Sequence, residues 1–131
     1  MRFEFTLSGG RRVFFRVHVD VPGEGAGGGE LEFGGQEVKE LVDLLSLAGN
    51  ERRLRIMIEL MKRPETRFTD LLGVGINPKL VRDCLVPLES AGLVEHRKGG
   101  IYRPSSKGAA VIVTLTLGLR KVLDLPRGAG P

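Results

Sequence analysis

The sequence predicts an α+β fold, mainly α, and three stretches predict it. Residues 69–93 read as a short helix, a tight turn and a second helix; residues 2–7 and 13–21 alternate as strands; residues 93–104 hold two short extended runs about Gly99-Gly100. The second helix of the first stretch organises the rest. Asn77 is a good N-cap, because its side-chain oxygen can accept from the free amides of a first turn, and Pro78 sits where a missing N–H costs nothing. Leu80, Val81, Cys84, Leu85, Leu88 and Ala91 recur at helical spacing, while Lys79, Arg82, Asp83 and Val86 share the other side. One side packs and the other is presented. Gly92 supplies the left-handed residue that stops the helix. The pair is a helix-turn-helix. Pro87 stands inside the second helix, removes one backbone bond and crowds the carbonyl of Asp83, so a kink or an early end is expected.

At the N-terminus, Phe3, Phe5 and Leu7 share one face, as do Val13, Phe15, Val17, Val19 and Val21. A three-residue loop, Ser8-Gly9-Gly10, keeps the faces matched by setting Phe5 opposite Val13 and Phe3 opposite Phe15. The outer face then carries Arg12, Phe14, Arg16 and His18, where Phe14 either meets another subunit or is covered by the chain's own helices. Pro22 to Gly29 is a flexible connector, and Glu30-Leu-Glu-Phe33 is a possible third strand. Gly23, Gly25 and Gly28 match Gly-x-Gly-x-x-Gly. A dinucleotide site needs a helix to start there, and a strand pattern follows instead, so a nucleotide site is rejected.

Residues 36–47 form a helical array ending at Ala48-Gly49, and Asn50 caps a second helix through about Met61 or Lys62. Arg52, Arg53, Arg55 and Lys62 fall on its surface, and Pro64 ends it. Arg67-Phe68 is a short extended piece leading to Thr69, the expected cap of the next helix. Beyond Gly92, the hairpin about Gly99-Gly100 carries His96, Arg97, Lys98 and Arg103. A basic hairpin directly after a presented helix is the arrangement called a wing. Ser105 opens a last helix to about Leu125, whose stretch 109–119 is apolar nearly all round; its β-branched content also permits a strand. A helix apolar on every side needs burial on every side, which a small monomer does not provide. A homodimer through the 36–48 and 105–125 helices is the economical answer.

The chain has 131 residues, 41% of them hydrophobic, enough for one core. The expected division is residues 1–33 for the N-terminal strands and Gly-rich connector, 36–125 for the helical domain and 126–131 for a tail. Residues 1–49 hold five Lys/Arg against eight Asp/Glu, residues 50–107 twelve against seven, and residues 108–131 three against one. The positive charge thus lies on the segment with the helix-turn-helix, which favours a polyanionic partner. No apolar run reaches a membrane span, and Met1-Arg-Phe-Glu-Phe lacks the apolar block of a secretion signal, so a cytoplasmic protein is expected. A single cysteine, Cys84, excludes an internal disulfide framework and a multi-cysteine metal cluster. His18 and His96 have no spaced partners and no nucleophile–base set is visible, so neither a metal, a cofactor nor an enzyme is expected.

The run Asn50-Glu-Arg-Arg-Leu-Arg-Ile, then Phe68-Thr-Asp-Leu-Leu, Asn77-Pro-Lys-Leu-Val, Leu85-x-x-Leu-Glu-Ser-Ala-Gly-Leu-Val94 and Tyr102-Arg-Pro-Ser-Ser-Lys-Gly108, resembles archaeal winged helix-turn-helix transcription regulators of the broad ArsR-like class. The resemblance covers residues 36–125. It implies a winged helix-turn-helix domain, here with N-terminal β-strands and flanking dimerisation helices, that binds double-stranded DNA as a homodimer. It places Lys79, Arg82 and Asp83 on the base-facing stripe and His96, Arg97, Lys98 and Arg103 in the wing. Thr69, Asn77 and Lys107 complete the candidate DNA-binding set. The family's thiolate metal-sensing motif is absent. The rival reading is a winged helix that docks protein in a transcription or other nucleoprotein assembly.

Overall fold

Alternating apolar residues build the N-terminal hairpin, and converging helical stripes build the rest. The computed structural model describes residues 2–21, 31–74 and 77–127, and it divides into two units, residues 1–40 with 126–131 and residues 41–125. The Gly-rich connector with its Gly-x-Gly-x-x-Gly match, and the end of the tail, lie outside the described residues.

In the first unit, β1 (Arg2–Gly9) pairs antiparallel with β2 (Arg12–Asp20). Phe3 lies opposite Val19, Phe5 opposite Val17 and Leu7 opposite Phe15, four residues away from the expected register. The expected pairing would leave Val19 and Asp20 without partners, whereas the observed one extends the ladder to Arg2 and Asp20. Both keep the faces matched, because they differ by an even number of residues. Gly9 pairs with Arg12 across a Gly10-Arg11 connection in which Gly10 is left-handed, and the register shift between Leu7 and Ser8 leaves Phe14 as a bulged residue. That bulge returns Phe15 to the Phe5 face, with ring centroids 5.5 Å apart. Phe14 itself is exposed beside the Arg12 guanidinium. Among the described residues of the hairpin only Leu7 is buried, so these strands bury less than expected. Residues 31–33 are not a third strand. They lead into α1 (Gly35–Ala48), where the Gly34 carbonyl accepts from Val38 N–H at 3.0 Å and the Glu37 carboxylate accepts from Gly34 N–H.

In the second unit, α2 (Glu51–Met61) starts at Asn50, whose side chain accepts from Arg53 N–H at 3.1 Å. Arg53 is not a free surface cation: its Nε donates to the Leu47 carbonyl at 2.6 Å and its Nη2 to Ser46, closing the end of α1 with the charge that end favours. Next come β3 (Thr66–Arg67), the short α3 (Phe68–Leu71) with a 3₁₀ turn at Leu72–Val74, and α4 (Pro78–Ser90). The hairpin follows as β4 (Val94–Arg97) and β5 (Ile101–Pro104), and β3 joins it in a three-stranded sheet of order β3-β5-β4. The extended piece before α3 is therefore a sheet strand, with Thr66 opposite Tyr102 and Arg67 opposite Ile101. This pairing also corrects the expected cap. Arg67, held extended, occupies the N-cap position and donates its N–H to Asp70 at 2.9 Å, while Thr69 is an exposed residue inside α3.

The last helix is α5 (Ser106–Val113), a π-helical turn at Thr114–Gly118 and α6 (Leu119–Leu123), not a strand. Ser105 caps it, accepting from Gly108 N–H at 2.9 Å and donating to the Gly92 carbonyl. Ile56, Met57 and Leu60 of α2, Leu71, then Val81, Leu85 and Leu88 of α4, Leu93, Val94 and Ile112 form one buried cluster. Each such side chain contributes about 1.5–3 kcal/mol by leaving water. Thr66 is buried in the same unit, and its hydroxyl has no hydrogen-bond partner. A buried hydroxyl without a partner opposes folding, so Thr66→Val, which keeps the shape, should leave stability unchanged or raise it by about 1 kcal/mol. Urea unfolding of the two proteins checks this; a loss above about 1 kcal/mol would show that the hydroxyl has a partner in solution.

Candidate nucleic-acid interface

The presented helix is set by its two ends. Asn77 accepts from Leu80 N–H at 2.9 Å with Pro78 behind it, so the cap is as expected. At the other end Gly92 is left-handed, its N–H donates to Glu89, and Leu93 N–H donates to Leu88, the paired bonds of a Schellman stop. Pro87 neither shortens nor ends the helix, which continues to Ser90 and closes through Ala91 N–H on the Pro87 carbonyl. The loss at Pro87 is one bond, and the buried Leu85 and Leu88 on either side hold the turn in place.

Val81, Cys84, Leu85 and Leu88 are buried, and Lys79, Arg82, Asp83 and Val86 are exposed. Both stripes read from the sequence therefore exist, although Ala91 is exposed at the helix end. The Arg82 guanidinium lies 5.4 Å from the centroid of the Phe68 ring. Such a contact limits the sweep of a long side chain while leaving its donors free. Lys79, at the helix start, has no ion pair among the described residues. Cys84 lies on the packed side, and burial pushes its thiol up against the opposing pull of Arg53 and Arg52, so it stays neutral and weakly reactive.

The hairpin places its charges on two faces. Glu95 lies directly opposite Arg103, and Arg103 Nε donates to its carboxylate at 2.9 Å; Arg97 approaches the same oxygen at 3.5 Å. The Arg103 hydrogen bond holds the Glu95 carboxyl below the usual carboxylate range, against a smaller upward push from desolvation. Two of the expected wing cations thus share one carboxylate. On the other face His96 stacks on Tyr102 with ring centroids 4.2 Å apart, and its Nδ1 is 3.5 Å from Glu89 of α4. Burial pushes the Tyr102 phenol up, with Glu89 adding to the push and Arg82 opposing it. Lys98 stands at the turn, where Gly99 and Gly100 are both left-handed, and like Lys107 on α5 it is exposed without an ion pair among the described residues.

Lys79, Arg82 and Lys98 therefore stand without an ion pair among the described residues, whereas Arg97 and Arg103 share Glu95 on the hairpin and His96 lies against Glu89. Phe68, Tyr102, Glu89 and Glu95 position these groups and were not singled out from the sequence. Glu95 was within reach, since a three-residue turn at 98–100 sets it opposite Arg103. Among the described residues no group of His, Cys, Asp and Glu side chains is arranged to hold a metal, and no described helix is long and apolar enough to cross a membrane.

No family model matches the sequence, and no curated protein sequence does either. Solved structures do. The antimony-specific transcriptional repressor AntR is 27% identical over 70% of this chain and 84% of its own, with a TM-score of 0.59. Quinone-bound YodB from B. subtilis is 23% identical over 66% of this chain and 97% of its own, with a TM-score of 0.58. The transcriptional repressor BigR from Xylella fastidiosa is 22% identical over 70% and 93%, with a TM-score of 0.55. The architecture is that of a winged helix-turn-helix.

Proposed function

We propose that this chain is a transcription regulator that binds double-stranded DNA sequence-specifically as a homodimer. The exposed Lys79–Arg82–Asp83 stripe on α4, backed by the buried Val81, Cys84, Leu85 and Leu88, carries the reading. A helix so presented enters a major groove, and a homodimer would set two copies in successive grooves roughly 34 Å apart. The likeness to AntR, a transcriptional repressor, supports DNA-binding regulation. Arg82 is assigned the base contact, because its planar fork matches the guanine edge; Lys79, Lys98 and Lys107 are assigned phosphates, with Arg97 and His96 beside them. Arg103 contributes through Glu95 at the wing base.

Dimerisation rests on apolar surface. Leu117, Leu119, Val122 and Leu123 along the last helix, Leu125 just after it, and Leu41, Val42 and Leu45 on α1 are all exposed in the single chain. No terminal helix of this composition is expected to remain bare in water. Sedimentation at micromolar concentration should give a dimer, and Leu119→Glu with Val122→Glu should give a monomer.

Fluorescence anisotropy on duplex DNA across salt tests the main reading. Binding should weaken steeply as salt rises, with a log–log slope set by the number of phosphates neutralised. Glu95→Gln, which releases Arg97 and Arg103 from their shared carboxylate, should steepen that slope by about one to two and tighten binding to random duplex. Absence of binding at low salt would favour the protein-docking reading, for which the 58% exposed Val86 in the presented stripe speaks.

A further inference from the structure

A cleft of about 400 Å³ lies between the end of α2 and the hairpin face that bears Glu95 and Arg103. Its volume lies within the range of small-molecule sites, roughly 300–1,000 Å³. Leu60, Met61, Pro104 and Ala109 supply an apolar wall, and Arg63 and Arg103 stand on its polar side with Glu95. We propose that this cleft binds a small monocarboxylate with an apolar body, its carboxylate on Arg103 and Arg63 and its body against the wall.

Charge selects an anion. The lining holds two guanidinium groups against one carboxylate. The other partner of Arg63, Asp70, lies 3.4 Å away with both side chains well exposed, which is a loose surface pair and easily exchanged. Geometry selects a carboxylate. The Glu95 carboxylate takes only the Nε of Arg103, at 2.9 Å, which leaves its two Nη groups without a hydrogen bond among the described residues and able to receive a second carboxylate. Glu95 also has a second partner, Arg97, so it can yield Arg103 to a ligand without being left unpaired. The wall selects an apolar body, because a free phosphate would lose hydration against Leu60, Met61 and Ala109 with nothing in return.

The site meets the wing through Glu95. A carboxylate on Arg103 adds one negative charge at the hairpin base, so a bound ligand should weaken duplex DNA binding. That coupling rests on the DNA-binding reading; occupation of the cleft does not. The two are separable by titrating the full chain with benzoate, hexanoate and inorganic phosphate in the absence of DNA. Methyl and amide NMR shifts are followed at Ala109, Glu95 and Arg103.

Saturable shifts at these residues with benzoate or hexanoate are expected, reduced about tenfold in affinity by Arg63→Gln or Arg103→Gln and abolished by Ala109→Phe, which fills the cleft. Arg52→Ala, exposed on α2 and outside the lining, should leave benzoate affinity unchanged. Amide spectra of each variant show whether it is folded, and the exposed Arg63 site gives a variant that does not disturb the core. The proposal is overturned if no saturation occurs by about 10 mM, a limit set by the weakest useful affinity. It is equally overturned if phosphate binds as well as benzoate, or if folded variants of Arg63 and Arg103 bind like the parent. Benzoate binding with unchanged DNA affinity would uphold the site and remove the coupling.

Discussion

Gly108→Ala should unfold the helical unit at a much lower temperature than the parent, with a loss of about 3 kcal/mol or more. An ordinary Gly→Ala change within a helix goes the other way by up to about 1 kcal/mol, since alanine restricts the unfolded chain and favours the helix. Space reverses the sign here. A Cβ at residue 108 would fall directly on the Leu93 carbonyl oxygen, closer than any non-bonded carbon approaches oxygen. That carbonyl cannot simply move, because it accepts from Ser105 N–H at 3.0 Å and belongs to the buried Leu93 that follows the end of α4. Ser105 in turn holds Gly92 and caps α5. The added methyl therefore forces the last helix away from the α4–β4 junction and opens the cluster containing Leu93 and Ile112. At roughly 4–8 °C per kcal/mol for a unit of this size, the melting temperature should fall by about 12–24 °C. Differential scanning calorimetry of the two proteins reads it. An unchanged melting temperature would mean that the helix and the Leu93 backbone are further apart in solution than in the structure.

How much of this was legible in the sequence depends on whether the signal is local. The caps at Asn50, Asn77 and Ser105 are formed by residues three apart, and all three were read correctly or within reach of the expected helix start. The two stripes of α4 follow from helical spacing alone, and they survive Pro87 because the buried Leu85 and Leu88 fix the turn around it. What was misread depends on strand pairing and its register. The cap of α3 moved from Thr69 to Arg67 because β3 pairs with β5, some 35 residues away in the chain, and this holds Arg67 extended. The N-terminal register moved by four residues, three because the turn falls at Gly10-Arg11 and one through the bulge at Phe14, and alternation is blind to such an even shift. Residues 31–33 alternate well enough for a strand, but two apolar residues leave little to bury and the Gly34 carbonyl is already used by α1. The candidate interface shows the same division. Lys79 and Arg82 were visible as a stripe, whereas the neutralisation of Arg97 and Arg103 by Glu95 required the hairpin register.

Arg82→Ala should separate sequence reading from phosphate binding. On a selected DNA site the loss should be about 1–3 kcal/mol, a factor of roughly 5 to 150, and on random duplex it should be no more than that of one lost phosphate contact. The asymmetry follows from what the side chain is given. Its guanidinium lies 5.4 Å from the Phe68 centroid on the exposed stripe of α4, so its direction is restricted before DNA arrives while its five donors remain free. A restricted arginine loses less side-chain freedom on docking to a guanine edge than a free one, and the gain appears only where the base offers two acceptors. Arg82→Lys should recover the random-duplex affinity without recovering the selected site, because it restores the charge and not the planar fork. Phe68→Leu should fall between them on the selected site, since it frees the arginine without removing it. Competition binding of selected against random duplex, at two salt concentrations, measures all three. If Arg82→Ala loses equally on both, then Arg82 is a phosphate contact and sequence preference lies elsewhere on α4, with Lys79 and Asp83 the remaining exposed polar groups of the stripe near its N-terminus.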